Sequence, residues 1–275
     1  GHRDNDTMAQ DLHTGDTRFA ELQWRDRPIR LEYQFVGVRK SAYPVVVFLH
    51  EGLGSIALWK DFPAEFCAAN LFTGLVFSRY GYGRSTPRPQ EERWPVDFMH
   101  QQAHDVLPTL FDRLGLDKPF LFGHSDGASI SLLYAARFPG RVSGIAVAAP
   151  HIFVEDLTID SIREAREAYL HKGVRERLAR YHDDVDSAFW GWNDIWLDPA
   201  FRAWNIEAEL PGIVCSVLAL QGADDEYGTL EQIYGIRRKV PQAELVVIPD
   251  CGHSPHRDQP EATMKAVAGF ILRSM

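Results

Sequence analysis

A chain of 275 residues with 45% hydrophobic side chains can bury the core of one sizeable domain that carries an insertion. Its formal charge of −9 argues against nucleic acid or an anionic membrane as a partner, since both attract basic patches, and no apolar stretch approaches the roughly 20 residues of a membrane span. The three cysteines, Cys67, Cys215 and Cys251, are odd in number and lack zinc-ligand spacing, which predicts a cytoplasmic protein rather than a disulfide framework.

Residues 1–16 precede the first predicted element. The stretch from Gly1 to Met8 lacks the basic and apolar blocks of a signal peptide, and we interpret it as a purification remnant before an initiator methionine. From residue 17 onward, short apolar runs predict an antiparallel hairpin. Strands separated by helices then predict right-handed crossovers and a mostly parallel, doubly wound α/β sheet. The predicted strands are 18–24, 28–37, 44–49, 74–77, 119–122, 142–148, 213–220 and 244–248, and the predicted helices are 56–69, 95–114, 128–138, 230–239 and 260–272.

The most informative motif is the pentapeptide Gly-His-Ser-Asp-Gly at residues 123–127, between a predicted strand and a predicted helix. A turn this sharp crowds the backbone, so the positions two before and two after the serine must be nearly free of side chain. The pattern is typical of a nucleophile elbow, in which the serine Oγ stands exposed at the carboxyl end of a strand. Ser125 is therefore the predicted nucleophile.

A serine hydroxyl is a weak nucleophile and requires a base, which in turn requires a group that orients it. A turn rich in carboxylates, with Asp224, Asp225 and Glu226, follows the seventh predicted strand, and His253 follows the eighth. Because the carboxyl ends of parallel strands meet at one edge of a sheet, we expect Ser125, His253 and one of these carboxylates to lie together. The chain order is serine, acid, histidine.

At this point the chain resembles the α/β-hydrolase superfamily over nearly its whole length beyond residue 16. The family's Gly-x-x-Asp after the penultimate strand matches Gly222 to Asp225, and its Gly-His near the C-terminus matches Gly252 and His253. A further family loop matches residues 80–85. The resemblance implies an eight-stranded sheet flanked by helices, a Ser-His-Asp triad with Asp225 as the preferred acid, and its two carboxylate neighbours as alternatives. It requires neither a metal nor a cofactor.

The family's loop after the third strand, which supplies part of an oxyanion hole, matches residues 50–54. Glu51 stands where the family usually has a second glycine. The resemblance implies two backbone donors for the tetrahedral oxyanion. One is the N–H of Asp126, the residue after the nucleophile, and the other is the N–H of Gly52, with Leu53 as the alternative.

Residues 150–206 interrupt the alternation of strands and helices. In the superfamily an insertion here is a helical cap, so we expect a core of residues 17–149 and 207–275 and a cap of residues 150–206, with a charged helix at 160–180. Four of the seven tryptophans lie in this segment: Trp190, Trp192, Trp196 and Trp204. One interpretation is that they form the small core of the cap and its seam with the sheet, and the other is that some of them line the substrate cavity. We expect Trp190, Trp192, Trp196, Leu53 and Glu51 to contact substrate.

Glu51 and Asp126 are unusual choices beside a developing oxyanion. A carboxylate in the first turn of a helix can simply interact with the helix dipole. Alternatively Asp126, Glu51 and the cap residues Asp183 and Asp184 bind a cationic or hydroxyl-rich part of a substrate. Some superfamily members with Ser-Asp at the elbow act on amine-bearing esters, and the chain is also similar to serine esterases that open macrolide lactones.

We therefore predict an esterase or lactonase that acts on a small molecule, with its oligomeric state left open. Within the same fold the alternatives are a C–C bond hydrolase, a cofactor-free dioxygenase and a ligand receptor. Among the other chemistry-bearing side chains, His100 and His104 are four residues apart on a helix but lack a third ligand for a metal. We expect His256 to pack against its loop, and Cys251 to be a small buried hydrophobe.

Overall fold

The computed structural model describes residues 15–40 and 44–275. Of the N-terminal segment predicted at residues 1–16, residues 1–14 therefore lie outside the described residues. Eight strands form one sheet: β1 (Arg18–Trp24), β2 (Arg27–Gly37), β3 (Val45–Leu49), β4 (Thr73–Phe77), β5 (Phe120–His124), β6 (Gly144–Ala148), β7 (Ser216–Gly222) and β8 (Glu244–Ile248). Their order is β1-β2-β4-β3-β5-β6-β7-β8. The β1–β2 and β2–β4 pairs are antiparallel and all the others are parallel, which confirms the predicted fold class.

Helices connect the strands on both faces of the sheet. The α-helices are α1 (Ile56–Trp59), α2 (Phe62–Asn70), α3 (Phe98–Gln101), α4 (Leu107–Leu114), α5 (Asp126–Arg137), α6 (Asp156–His171), α7 (Val174–Leu178), α8 (Val185–Trp196), α9 (Glu231–Lys239), α10 (Pro255–Asp258) and α11 (Pro260–Arg273). None of the helices within the described ranges has both the length and the apolar character needed to cross a bilayer.

The strands supply two hydrophobic cores, one on each face of the sheet. Successive side chains of a strand point to opposite faces, and strand β3 shows the consequence. Val47 and Leu49 join one core with α3, α4, α5 and α9, whereas Val46 and Phe48 join the other core with α1, α2 and α11. Because both faces are covered, the central strands are apolar throughout, as in other doubly wound sheets.

Two helices that the sequence predicts as continuous are interrupted in the structure. The predicted helix 56–69 divides into α1 and α2 because Lys60 takes φ 54° and ψ −136°, which no helical residue can adopt. The predicted helix 160–180 divides into α6 and α7 at Gly173, which has φ 76°. Both breaks are single-residue changes of backbone conformation that hydrophobic periodicity does not record.

The predicted helix 95–114 begins only at Phe98 and changes type within its length. A π-helical segment, Gln102–Val106, separates α3 from α4. Pro108 lies just after this segment and has no N–H to donate, so the regular i to i−4 ladder is interrupted there.

Residues 150–206, the cap segment, join β6 to β7 and contain α6, α7 and α8. The two ends of the segment meet at an isolated antiparallel bridge between Phe153 and Asn205, so the chain leaves and re-enters the sheet at one place. The segment lies over the carboxyl ends of the central strands, where Trp196 donates a hydrogen bond to Asp126. Its division from the core at residues 149 and 207 stays a prediction.

Candidate active site

The turn between β5 and α5 places Ser125 at the carboxyl edge of the sheet. Its backbone has φ 56° and ψ −118°, a strained conformation for a residue with a side chain. The backbone approaches closely on both sides of the turn. A Cβ on Gly127 would lie 2.6 Å from the carbonyl oxygen of His50, and a Cβ on Gly123 would lie 2.6 Å from Ser131 Oγ. The two flanking glycines thus meet the steric demand expected from the sequence.

Three side chains from three strand ends form a continuous hydrogen-bonded chain. His253 Nε2 lies 2.8 Å from Ser125 Oγ, and His253 Nδ1 lies 2.9 and 3.0 Å from the two carboxylate oxygens of Asp225. Asp225 is itself held in place, because its Oδ1 accepts the backbone N–H of Tyr227 at 2.8 Å and its Oδ2 accepts Gln221 Nε2 at 3.2 Å. Of the three carboxylates in this turn, it is Asp225 that faces the imidazole.

Charge and burial set the protonation states of His253 and Asp225. Burial by itself lowers the pKa of His253, but the charge of Asp225 and their hydrogen bond outweigh burial and raise that pKa above 6.5. Burial likewise raises the pKa of Asp225, and the nearby His253 more than reverses the effect, so the carboxylate stays ionised at neutral pH. His253 Nδ1 therefore carries the proton shared with Asp225, and its Nε2 is free to accept the Ser125 proton.

The carbonyl group of Glu51, in the loop after β3, has three polar partners. Glu51 to Gly54 form a β-turn, closed by the Gly54 N–H to the Glu51 carbonyl at 3.1 Å. The Glu51 carbonyl also accepts from Arg79 Nη2 at 3.1 Å and lies 2.6 Å from His50 Nδ1. Because the peptide group is planar and trans, the N–H of Gly52 points opposite to the Glu51 carbonyl. Gly52 borders the cavity at Ser125 together with Asp126.

A cavity of about 220 Å³ opens onto Ser125 and lies between the sheet edge and the cap segment. Gly52 and Leu53 border it from the core, and Trp192 and Trp196 from the cap. A second cavity of about 250 Å³ adjoins it and shares Glu51 with it. Of the residues expected to contact substrate, Glu51, Leu53, Trp192 and Trp196 line the first cavity.

Trp190 does not line this cavity, contrary to the expectation. Residues four apart share one face of a helix, so Trp192 and Trp196 of α8 face the cavity together. Trp190 is two positions before Trp192 and lies on the opposite face, where its ring packs edge-on against Tyr169 at 5.6 Å. Trp204 stacks on Phe201 at 5.4 Å. Trp196 both lines the cavity and packs against Phe201 at 4.8 Å, so the two interpretations overlap at this residue, and which tryptophans contact substrate stays a prediction.

Two carboxylates lie close to the nucleophile. Asp126 is 1% exposed and accepts a 3.4 Å hydrogen bond from Trp196 Nε1, and burial raises the pKa of Asp126 to about 6. Glu51 lies with its Oε2 3.6 Å from His124 Nδ1, and burial lowers the pKa of His124 below its ordinary value. Both carboxylates line the cavity at Ser125, and the charge of the buried Arg79 acts on Asp126 and partly offsets the effect of burial on its pKa.

His151 belongs to the site and was not predicted from the sequence. It follows β6, the sheet neighbour of β5, and its Nε2 lies 3.4 Å from Ser125 Oγ. Burial lowers the pKa of His151 to about 3, so the ring is neutral. Since the Ser125 proton is directed to His253, an N–H at His151 Nε2 can donate to the same oxygen. Its position after a strand at this edge is the signal that could have identified it.

His100, His256 and Cys251 do not line the cavity at Ser125, whereas Glu226 does. His100 Nε2 pairs with Glu209 at 2.9 Å, and His256 packs on Trp59 with ring centroids 4.7 Å apart. Cys251 is buried, which raises the pKa of its thiol to about 11. Within residues 15–40 and 44–275, no three His, Cys, Asp or Glu side chains converge as a group that could hold a metal ion.

Comparisons with known proteins agree with this architecture. The human serine hydrolase BPHL is 24% identical over 245 residues, which cover 83% of this chain and 78% of that protein. A thermophilic esterase from Thermogutta terrifontis superposes with a TM-score of 0.72 at 21% identity, over 94% of this chain and 99% of the esterase. The enol-lactonase from Burkholderia xenovorans LB400 gives a TM-score of 0.72 at 21% identity, over 92% and 100%.

The two solved structures share the fold of this chain. The sequence also matches the family model of the alpha/beta hydrolases over residues 46–266, which is most of its length and includes the nucleophile turn and the last histidine. On this match, the chain belongs to the α/β-hydrolase family.

Proposed function

We propose that the protein is a serine hydrolase that cleaves a carboxylic ester or lactone through an acyl-enzyme. The observation that carries the proposal is the hydrogen-bonded chain from Ser125 through His253 to Asp225 at the floor of a cavity. A buried serine with an oriented imidazole is the arrangement needed to activate a hydroxyl nucleophile. The relationship to a protein named as a serine hydrolase supports the same chemistry.

The reaction would proceed in two halves. Ser125 Oγ attacks the ester carbonyl carbon while its proton passes to His253 Nε2, and the carbonyl oxygen becomes an oxyanion. The backbone N–H groups of Gly52 and Asp126 are the donors we assign to that oxyanion, each worth about 3 kcal/mol. His253 then protonates the leaving alkoxide. A water molecule, deprotonated by the same nitrogen, attacks the acyl-enzyme and releases the acid.

Charge and size favour a bulky substrate that carries an amine. The carboxylates of Glu51 and Asp126 border the reacting serine, and a protonated amine would pair with them and offset the cost of burying Asp126. The indoles of Trp192 and Trp196 offer apolar and cation–π surface on the cap side. The adjoining second cavity gives room for a large leaving group. A macrocyclic lactone with an amino substituent is the substrate class we propose.

A turnover panel tests the proposal. Simple esters, small lactones and amine-bearing macrocyclic lactones would be offered to the wild type, to Ser125→Ala and to a control, Ser143→Ala, whose hydroxyl donates to the Lys118 carbonyl. We expect the first change to lower kcat by about a million-fold and the control to match the wild type. The same panel would include a vinylogous diketone for C–C cleavage.

The outcomes separate the alternatives. Serine-dependent opening of macrocyclic lactones with poor activity on simple esters would support the substrate class, and the reverse would leave a general carboxylesterase. Activity that survives Ser125→Ala would point to a dioxygenase that needs only the base. Binding without turnover would point to a receptor.

A further inference from the structure

His182 of the cap segment connects two loops of the core. It is 6% exposed and lies between the loop after β4 and the loop after β3. The Gly83 N–H donates to His182 Nδ1 at 2.9 Å, and His182 Nε2 lies 2.9 Å from the Leu53 carbonyl oxygen. A nitrogen that accepts an N–H is unprotonated, so the proton is on Nε2 and is donated to Leu53. Both ring nitrogens are satisfied by a neutral imidazole.

The Leu53 carbonyl belongs to the turn that we assign to the oxyanion hole. At the start of the turn, the Glu51 carbonyl accepts a hydrogen bond from Arg79 of the core at 3.1 Å. The turn ends with the Leu53 carbonyl, which His182 holds from the cap at 2.9 Å. Since each peptide group is rigid and planar, anchoring the groups at both ends restricts the Gly52 N–H between them. One of the two anchors belongs to the cap.

We propose that His182 is a positioning residue that orients the oxyanion-hole turn from the cap, so that the hole is fully formed only while the cap is docked. The inference rests on the proposed function, because it needs an oxyanion at Gly52. It gives the cap segment a role in the chemical step in addition to shaping the cavity. Loss of the hydrogen bond to Leu53 would displace the oxyanion donor and so lower kcat more than it changes KM.

The cap does not depend on the imidazole alone for its attachment here. The backbone N–H of Asp183 donates to the Gly83 carbonyl at 2.9 Å, and Ser187 Oγ donates to the Gly81 carbonyl at 3.0 Å. A change confined to the His182 side chain therefore leaves these cap–core hydrogen bonds in place, together with the Arg88 N–H to Ser187 Oγ at 2.7 Å. Burial also lowers the pKa of His182, which keeps the ring in the neutral form that the two bonds require.

Two substitutions by an amide side chain test the hydrogen bonds of the two ring nitrogens one at a time. In His182→Gln the amide nitrogen replaces Nε2 and can still donate to Leu53, whereas in His182→Asn the amide oxygen replaces Nδ1 and can accept only from Gly83. We expect His182→Asn to lower kcat by about tenfold or more with KM nearly unchanged, because a misplaced oxyanion donor costs up to 10²–10³ in rate. We expect His182→Gln to remain within about threefold of the wild type.

The affinity for a trifluoromethyl ketone, which forms a tetrahedral adduct on serine, would be measured with the same variants. It should weaken in parallel with kcat in His182→Asn, while thermal unfolding shows that both variants are folded. Equal activity of both variants and the wild type would overturn the inference. So would an equal loss in both variants with a lowered melting temperature, since that pattern means the ring only attaches the cap. If the wild type itself shows no serine-dependent hydrolysis, the proposed function fails instead.

Discussion

The protonation state of His253 controls whether Ser125 can be activated. Only the neutral imidazole can accept the serine proton, and Asp225 raises the pKa of His253 above 6.5 despite its burial. A raised pKa means that the ring is protonated, and therefore inactive as a base, up to a higher pH. We expect kcat/KM to fall as the pH drops, with a midpoint above 6.5, in a pH–rate profile on a neutral ester.

Removing the carboxylate provides the control for that profile. In Asp225→Asn the charge that raises the histidine pKa is gone, so the midpoint should move to lower pH, and kcat should fall by about 10⁴ because the wrong imidazole tautomer is favoured. The exposed neighbour Asp224, changed to Asn, should leave both quantities as they are. A wild-type midpoint well below 6.5, or a large loss in Asp224→Asn, would contradict the assignment.

The sequence predicts the three triad residues, which follow strand ends, but not His151, which also follows one, nor the residues that act across the fold. The positions of Ser125, Asp225 and His253 follow from motif and strand order, and the structure brings the three within hydrogen-bond distance. The contact of His182 with the loop after β3 joins residues 129 apart in sequence, and nothing local indicates it. Arg79 reaches the same loop only because β4 lies beside β3.

At the scale of elements, the break between α1 and α2 stores backbone strain at Lys60. Its φ of 54° with ψ of −136° is a conformation that glycine adopts without penalty, whereas other residues pay about 1–3 kcal/mol. Lys60 is exposed, so its side chain contributes little packing. We expect Lys60→Gly to raise the free energy of unfolding by about 1 kcal/mol after the larger entropy of glycine in the unfolded chain is subtracted.

Chemical denaturation would measure this change. The control is Ala57→Gly, an exposed position inside α1, where the same new residue should lower the free energy of unfolding by about 1 kcal/mol. If Lys60→Gly destabilised the protein as much as the control does, the strain at the break would be refuted.

The element boundaries show the same limit of prediction as the site. Strand positions were recovered because apolar runs bounded by turns are local signals, and the predicted strand 244–248 coincides with β8. The π-helical segment Gln102–Val106 and the break at Gly173 were not recovered, since each depends on the conformation of one or a few residues inside an apolar periodic pattern. Periodicity reports which face is buried and not where a helix changes type.

At the scale of the whole molecule, the cap packs directly on the core at Gly52. A methyl group on Gly52 would overlap the indole of Trp192 from the cap and lie 2.9 Å from a carboxylate oxygen of Asp126. The site therefore requires glycine here because the cap packs directly on the backbone of the turn. We expect Gly52→Ala to lower kcat by about 100-fold, since either the turn or the cap must move away from the oxyanion.

A second substitution shows which of the two moves. In the double variant Gly52→Ala with Trp192→Leu, the smaller cap side chain makes room for the methyl group, and we expect kcat to recover at least tenfold over Gly52→Ala alone. Gly140→Ala is the control, because among the described residues no heavy atom beyond its chain neighbours lies within 4 Å of a Cβ at that position. Steady-state kinetics on one ester would give kcat for the wild type, Gly52→Ala, the double variant and the control. A double variant no faster than Gly52→Ala would mean that the methyl group acts on the turn itself and that cap packing does not set the position of Gly52.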